Sequence, residues 1–327
     1  MEIGKRSGLA EGPATRNAFG DALAELGAAF PALVVVDGDV GNSTRTEVFG
    51  KRYPERFFNM GIAESNLVSV AAGLALSGHV SVASSFACFL TCNAYDQIRM
   101  GVGFPHANVK LVGSHAGISI GEDGPSQMGI EDLALMSSVP GMVVLVPADG
   151  PSARALTRLM LEHDGPVYMR TGRPAVPLVY GPEPDLAIGR AERLREGGDA
   201  TIVACGLMVA AALDAAVILA ERGLECRVLD MHTVKPVDAR ALVAAARETG
   251  AVVTAEEHLL DGGLGAAVAR AIAREVPCPM GFVGVDDTYA ESGTPDALLE
   301  KYGLTPGHIA AAVERVVALR AARAGAV

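Results

Sequence analysis

Two unbroken apolar runs, L-V-V-V at 33–36 and M-V-V-L-V at 142–146, restrict the architecture of this chain more than any other feature. A strand with one wet face alternates apolar and polar residues. One with no polar face is covered on both sides, as in a parallel sheet held between helices. The flanking sequence agrees, because segments of helical period alternate with short apolar ones. The spacing predicts helix 15–29, strand 33–37, helix 64–77, strand 79–84, helix 87–102, strand 109–113, helix 130–138, strand 142–146, helix 151–163 and strand 166–170. From Pro174 to Glu196 the pattern breaks on Pro174, Pro177, Pro182 and Pro184 amid polar residues, which reads as a linker. A second series follows: strand 200–205, helix 208–222, strand 226–231, helix 238–249, strand 251–256, helix 264–274, strand 281–285 and a helix from Pro306 to about Ala321. The expected class is α/β, with two doubly wound domains at 1–178 and 197–327 and a linker at about 174–196.

The 327 residues are enough for two domains, and half of them are apolar. A net charge of −11 argues against nucleic acid or an anionic membrane as the main partner, though not against an anionic substrate in a local basic pocket. Five cysteines, an odd number scattered through the chain, argue against a disulfide framework. Cys88 and Cys92 lie four apart in an apolar run with no His cluster nearby, so they read as core rather than metal ligands. No stretch has the length of a membrane span, and the N-terminus lacks the apolar segment of a secretory signal. A cytoplasmic protein is expected.

One carboxylate stands out. Phe57, Phe58, Met60 and Ile62 form a short apolar run that reads as a buried strand, and it stops at Glu64. A helical pattern begins there, with Leu67, Val68, Val70, Ala71, Leu74 and Ala75 on the side read as buried. A lone carboxylate at such a junction is costly unless it keeps its proton or gains a partner, which points to acid–base chemistry. The bland alternative is a helix N-terminal charge facing water. Between Val112 and Ile130 runs G-S-H-A-G-I-S-I-G-E-D-G-P-S-Q-M-G, longer than the usual connection and leaving a strand end, where open α/β sheets bind ligands. Its glycines allow close approach of backbone to ligand. A mobile surface loop is the competing reading.

Three segments, F-F-N-M-G-I-A-E-S-N, S-S-F-A-C-F-L-T-C and S-H-A-G-I-S-I-G-E-D-G-P-S-Q, together resemble the pyrimidine-binding domain of transketolases. G-D-A-T-I-V-A-C-G and E-E-H-L-L-D-G-G-L-G resemble the transketolase C-terminal domain. The likeness covers about Ala14 to Val316 and corresponds to the second half of a full-length transketolase. It implies thiamine diphosphate as cofactor and transfer of a two-carbon ketol unit between sugar phosphates. In that family a domain with a G-D-G…N motif holds the diphosphate and its Mg2+ (or Ca2+). V-D-G-D-V-G-N lacks that order and spacing. The resemblance therefore implies an N-terminal transketolase subunit as partner, with active sites between subunits of an α2β2 heterotetramer and no metal ligands in this chain.

Residue by residue, the resemblance implies that Glu64 hydrogen-bonds the aminopyrimidine, that Phe89 stacks on that ring, and that Phe86 and Ile62 line it. Burial is expected to raise the Glu64 pKa against the weaker pull of the helix start. For the substrate it implies Arg16, Ser43 and Arg170 at the sugar phosphate, Asp39 at hydroxyls, His115 at the acceptor with a share in catalysis, and Asp123 reading a sugar hydroxyl. Gln127 stands where transketolases carry a histidine, and Cys92 where they carry a tyrosine. Donor identity is thereby left open, and the anion is either phosphate or sulfonate. His258, in E-E-H-L-L-D, reads as an interface contact before a site residue. Gly262, Gly263 and Gly265 lack dinucleotide-binding order. Other thiamine-diphosphate enzymes (a deoxyxylulose-phosphate synthase-like protein or the β-subunit of a 2-oxoacid dehydrogenase), a non-catalytic partner subunit and a nicotinamide-dependent oxidoreductase are the alternatives.

Overall fold

The computed structural model describes residues 2–324, so the last three positions of the expected second domain lie outside the described residues. Twelve strands occur among them: β1 Leu33–Asp37, β2 Phe57–Asn59, β3 Val80–Phe86, β4 Val109–Ser114, β5 Val143–Leu145, β6 Val167–Arg170, β7 Glu192–Arg195, β8 Ala200–Ala204, β9 Cys226–Asp230, β10 Thr233–Lys235, β11 Val252–Leu259 and β12 Met280–Val285. They form a seven-stranded sheet in the order β10-β5-β6-β4-β3-β1-β2 and a five-stranded sheet in the order β12-β11-β8-β9-β7. Pairing is parallel except at β10, which lies antiparallel to β5, and β7, antiparallel to β9. Both sheets are α/β layers, as the apolar runs imply. β1, β4 and β5 are buried along their whole length.

Parallel strands all end at one edge, and this places the site. The carboxyl ends of β1, β3, β4 and β6 lie side by side, with Asp37 paired to Ser84, Phe86 to Ser114, and Gly113 to Arg170. Helices running back against the strands begin at the same edge, so the starts of Thr15–Leu26 and Glu64–Leu76 point into it. Asp149 caps helix Gly150–Glu162 through the Ser152 amide (2.9 Å), and its other oxygen accepts the Val179 and Tyr180 amides (2.7 and 2.8 Å). The linker is tied to the sheet by that carboxylate.

Several expectations change. The run at 57–62 is an edge strand and an exposed turn, not a buried strand: Phe58 and Ile62 face outward. On helix Glu64–Leu76, Leu67, Val68, Ala71 and Ala72 are buried, while Val70, Leu74 and Ala75 are only partly covered. Helix 87–102 is not continuous, since Phe89–Asn93 and Ile98–Gly103 wind with wider turns around Tyr95–Gln97. The end of the expected linker forms β7. The second series contributes β10 to the first sheet, and one apolar cluster includes Val144, Val146 and Tyr168 with Val203, Leu229 and Met231. No described helix is long and apolar enough to cross a membrane.

Candidate active site

Glu64 is the first residue of its helix. The turn before it is closed by Gly61 at φ +70° and by Asn59 Oδ1, which accepts the Gly61 amide at 2.8 Å. The carboxylate is 6% exposed, and Ser85 Oγ, itself buried on β3, donates to Glu64 Oε1 at 3.0 Å. The solvent-facing alternative for Glu64 does not hold. Next along β3, the Phe86 ring lies parallel to that of Phe89, with centroids 5.5 Å apart and 4° between planes. On its other neighbour it stacks with His115, at 3.8 Å and 12°. Three rings thus run from the wide turn at Phe89 to the loop after β4. Ile62, two residues before Glu64, is 84% exposed.

His115 is 2% exposed and sits at φ +57°, an uncommon conformation for a residue with a Cβ. Its Nε2 lies 3.2 Å from Arg16 Nη1, and its Nδ1 2.9 Å from Ser114 Oγ. A guanidinium can only donate, so Nε2 accepts and the proton sits on Nδ1, donated to Ser114. Burial, reinforced by the charges of Arg16 and Arg173, pulls the His115 pKa down to about 3. At neutral pH this residue is an uncharged acceptor at Nε2 rather than an imidazolium acid.

The cations around it form a cluster. Arg16 Nη1 donates to the Ser43 carbonyl at 3.0 Å, which is how Ser43 enters the site. Arg173 Nη1 donates to the Ile120 carbonyl at 2.7 Å and lies 3.4 Å from Glu122 and 3.9 Å from Asp123. Burial and the fields of Arg173 and Arg45 lower the basicity of Arg16, and Asp123 opposes them. The Nε–H groups of Arg16 and Arg45 are buried and have no hydrogen-bond partner. Orphaned cationic donors of this kind fit an oxyanion ligand. The 37–46 loop is held by Asp37, which accepts from the Val40 amide, Thr44 Oγ1 and Thr46 Oγ1 at 2.7–2.8 Å. Burial raises the Asp37 pKa against these bonds. Asp39, at φ +67°, is exposed and accepts from Asn59 Nδ2 at 2.7 Å. Gln127 is half-buried, and its Oε1 accepts from Ser126 Oγ at 2.6 Å.

One assignment is corrected. Arg170 is 6% exposed and spends its donors inside the protein: Nε and Nη2 on the Asp132 carboxylate (3.0 Å each), Nη2 also on the Gly129 carbonyl, and Nη1 on the Glu257 carbonyl. Burial works against its charge, but Asp132, Tyr168 and Glu257 outweigh that and raise its basicity. It is a clamp between domains, its hydrogen bonds spent on Asp132, Gly129 and Glu257. Arg173, overlooked in T-G-R-P, is the arginine that joins Arg16. The available signal was position, since Arg170 is still in sheet register with Gly113 whereas Arg173 lies beyond the strand. Ser85, Ser114 and Arg45 were also missed, as short polar residues within apolar text give no periodic signal. His258 is a contact within the chain: its Nε2 accepts the Ala134 amide at 3.3 Å, and burial lowers its pKa to about 4. Among the described residues no group of three or more His, Cys, Asp or Glu is arranged to hold a metal ion.

Comparison with known proteins adds an independent line. The family profile "Transketolase, pyrimidine binding domain" matches residues 11–179, and "Transketolase, C-terminal domain" matches 189–309. The chain is 41% identical over 309 residues to the "Putative transketolase C-terminal section" of Methanocaldococcus jannaschii, covering 94% of this chain and 96% of that one. It is 40% identical over 301 residues to the "6-deoxy-6-sulfo-D-fructose transketolase subunit SqwH" of Clostridium sp. (strain MSTE9), covering 92% and 94%. A solved structure titled "Split gene transketolase, inactive beta4 tetramer" superposes with a TM-score of 0.89 at 50% identity, covering 94% of this chain and all of that one. The chain spans about half the length of the mammalian transketolase-like relatives it matches at 42% identity.

Proposed function

This chain belongs to the transketolase family, and on that premise we propose that it is the cofactor-activating half of a split transketolase, transferring a two-carbon ketol unit between sugars that carry a terminal oxyanion. Its partner is a separate chain that binds the diphosphate and metal of thiamine diphosphate. The observation that carries this reading is a buried carboxylate, Glu64, beside an aromatic stack and an uncovered apolar rim. Phe58, Ile62, Leu76, Met100 and Phe104 are large apolar side chains left exposed, on the Glu64 turn, its helix and the neighbouring 98–104 segment. Such a patch is normal for a surface that another subunit covers. The donor set fits half of the cofactor: a carboxyl for an aminopyrimidine nitrogen and rings for its face.

When bound, thiamine diphosphate supplies a carbon nucleophile at C2 of its thiazolium ring. Glu64 would hydrogen-bond the aminopyrimidine nitrogen, and Ser85 Oγ, donating to Glu64 Oε1, fixes the carboxyl in place. Phe89 and Phe86 orient the ring and exclude water, which strengthens the hydrogen bond to Glu64. Arg16 and Arg173 take the terminal anion, and two charge-assisted arginines set the length of substrate the site accepts. His115 holds Arg16 through Nε2 at the substrate end of the site, and Asp123 and Asp39 read sugar hydroxyls. The sulfosugar named in one relative's title supports a sulfonate as an anion of the same chemistry. We infer two domains at 1–178 and 197–327, and an α2β2 heterotetramer in the cytoplasm as the assembly.

The test is co-expression with a diphosphate-binding transketolase half and assay of ketol transfer from phosphorylated and sulfonated ketoses. Turnover is expected only in the mixture, and full turnover by the purified chain alone contradicts the proposal.

A further inference from the structure

The arginine pair rests on a loop that has turn hydrogen bonds of its own, Gly117 to Gly129 and Gly121 to Ile118 among them, and is gripped by the second domain as well. Residues 115–129 meet the second domain at three glycines, all at positive φ. A Cβ on Gly117 would fall 2.2 Å from Glu257 Cδ, one on Gly124 2.5 Å from Ser292 Oγ, and one on Gly121 3.1 Å from Pro295 Cδ. Glu257 is buried, and its Oε1 accepts the backbone amide of Ser119. Its own carbonyl accepts from Arg170, whose guanidinium also takes the Gly129 carbonyl at the far end of the loop. One residue after Ser119, the Ile120 carbonyl receives Arg173, and four residues before it His115 Nε2 receives Arg16.

We propose that Glu257 is a positioning residue of the second domain, which sets the path of loop 115–123 by gripping the Ser119 amide and so aims both Arg173 and Arg16 at the substrate anion. The inference rests on reading those arginines as an oxyanion clamp. It gives the second domain a part in substrate binding although none of its side chains lies in the clamp. What matters on this account is the reach of the Glu257 carboxyl, not its charge, because the groups it holds, the Ser119 and Ile118 amides and the Ser119 hydroxyl, are neutral.

Two conservative substitutions separate reach from charge. Glu257→Asp keeps the charge and withdraws the oxygen by one methylene, whereas Glu257→Gln keeps the reach and an acceptor oxygen but loses the charge. In the purified chain, hydrogen exchange of peptides covering 115–123 is expected to quicken about tenfold or more in Glu257→Asp and to stay near wild type in Glu257→Gln. Calorimetric affinity for inorganic phosphate is expected to follow the same order, about tenfold weaker for the aspartate variant and within about twofold for the glutamine. Wild-type loop protection in Glu257→Asp, or equal loosening in both variants, overturns the proposal. If the wild-type chain takes up no phosphate, the clamp reading itself fails, and the exchange comparison alone still decides the role of Glu257.

Discussion

Arg170 and Arg173 lie three residues apart and have opposite fates. Arg170 is still in the sheet, where its neighbours are Gly113 and the second domain, so its charge is neutralised by Asp132 and backbone carbonyls. Arg173 is past the strand end, half-exposed beside Glu122 and Asp123. From the sequence alone an arginine closing an apolar strand looks like a ligand group, because the partner Asp132 and the Glu257 carbonyl come from distant positions that no local pattern reveals. Removing one member of a buried ion pair leaves the other unpaired, so Arg170→Ala should cost about 3–5 kcal/mol in urea denaturation. Arg173→Ala should shift stability by less than about 1 kcal/mol, while raising KM for anionic sugars in the reconstituted enzyme. A stability loss in Arg173→Ala larger than that in Arg170→Ala would reverse the two roles. Glu64 drew attention by its place at a helix start, whereas Phe86, Phe89, Arg16 and His115 were picked out by the resemblance to transketolases, since an aromatic or an arginine at helical spacing reads by itself as core or surface.

At the level of elements, the strands were legible where they were continuous apolar runs, and the helices where the period held. The 87–102 segment read as one helix because apolar spacing does not distinguish ordinary from wider turns. On helix Glu64–Leu76 the side read as buried was drawn too wide for a related reason: Val70, Leu74 and Ala75 are apolar but only partly covered. β10 was not legible at all, since three residues from the second half pair across the chain with β5. The prolines marked 174–196 as a break in the pattern, but neither β7 at its end nor its anchorage was readable. Asp149 serves one helix cap and two linker amides at once, so Asp149→Ala should cost more than the roughly 0.5–2 kcal/mol of an ordinary cap. Thermal denaturation checks this, and a loss below about 0.5 kcal/mol would mean that the linker is held by other contacts.

On the scale of the whole molecule, burial of polar groups between the layers ties stability to pH. Tyr180 of the linker donates to Asp230 Oδ2 at 2.6 Å, while Asp230 Oδ1 is buried without a partner. Burial pushes the Asp230 pKa up to about 8; the Tyr180 hydrogen bond opposes that, and Asp149 and Glu192 add to it. The folded state therefore keeps a proton that the unfolded chain releases near pH 4. The stability this group contributes is complete below that pH and is lost as pH rises toward 8, by up to about 1.4 kcal/mol per unit. Asp230→Asn cannot lose the proton, so its melting temperature should fall less than that of wild type between pH 5 and 8; parallel curves would contradict the assignment. Other buried groups titrate in the same range, with Glu256 moved up to about 7 and His232 down to about 4, which is why the difference between the two proteins is the readout. The central claim concerns the assembly, namely that this chain brings the acid half of a pocket whose other half is another polypeptide. Its most direct measurement is hydrogen–deuterium exchange at C2 of thiamine diphosphate bound to the complex with the diphosphate-binding chain. Exchange should slow about 100-fold or more in Glu64→Gln, and exchange at the wild-type rate in that variant would contradict the account.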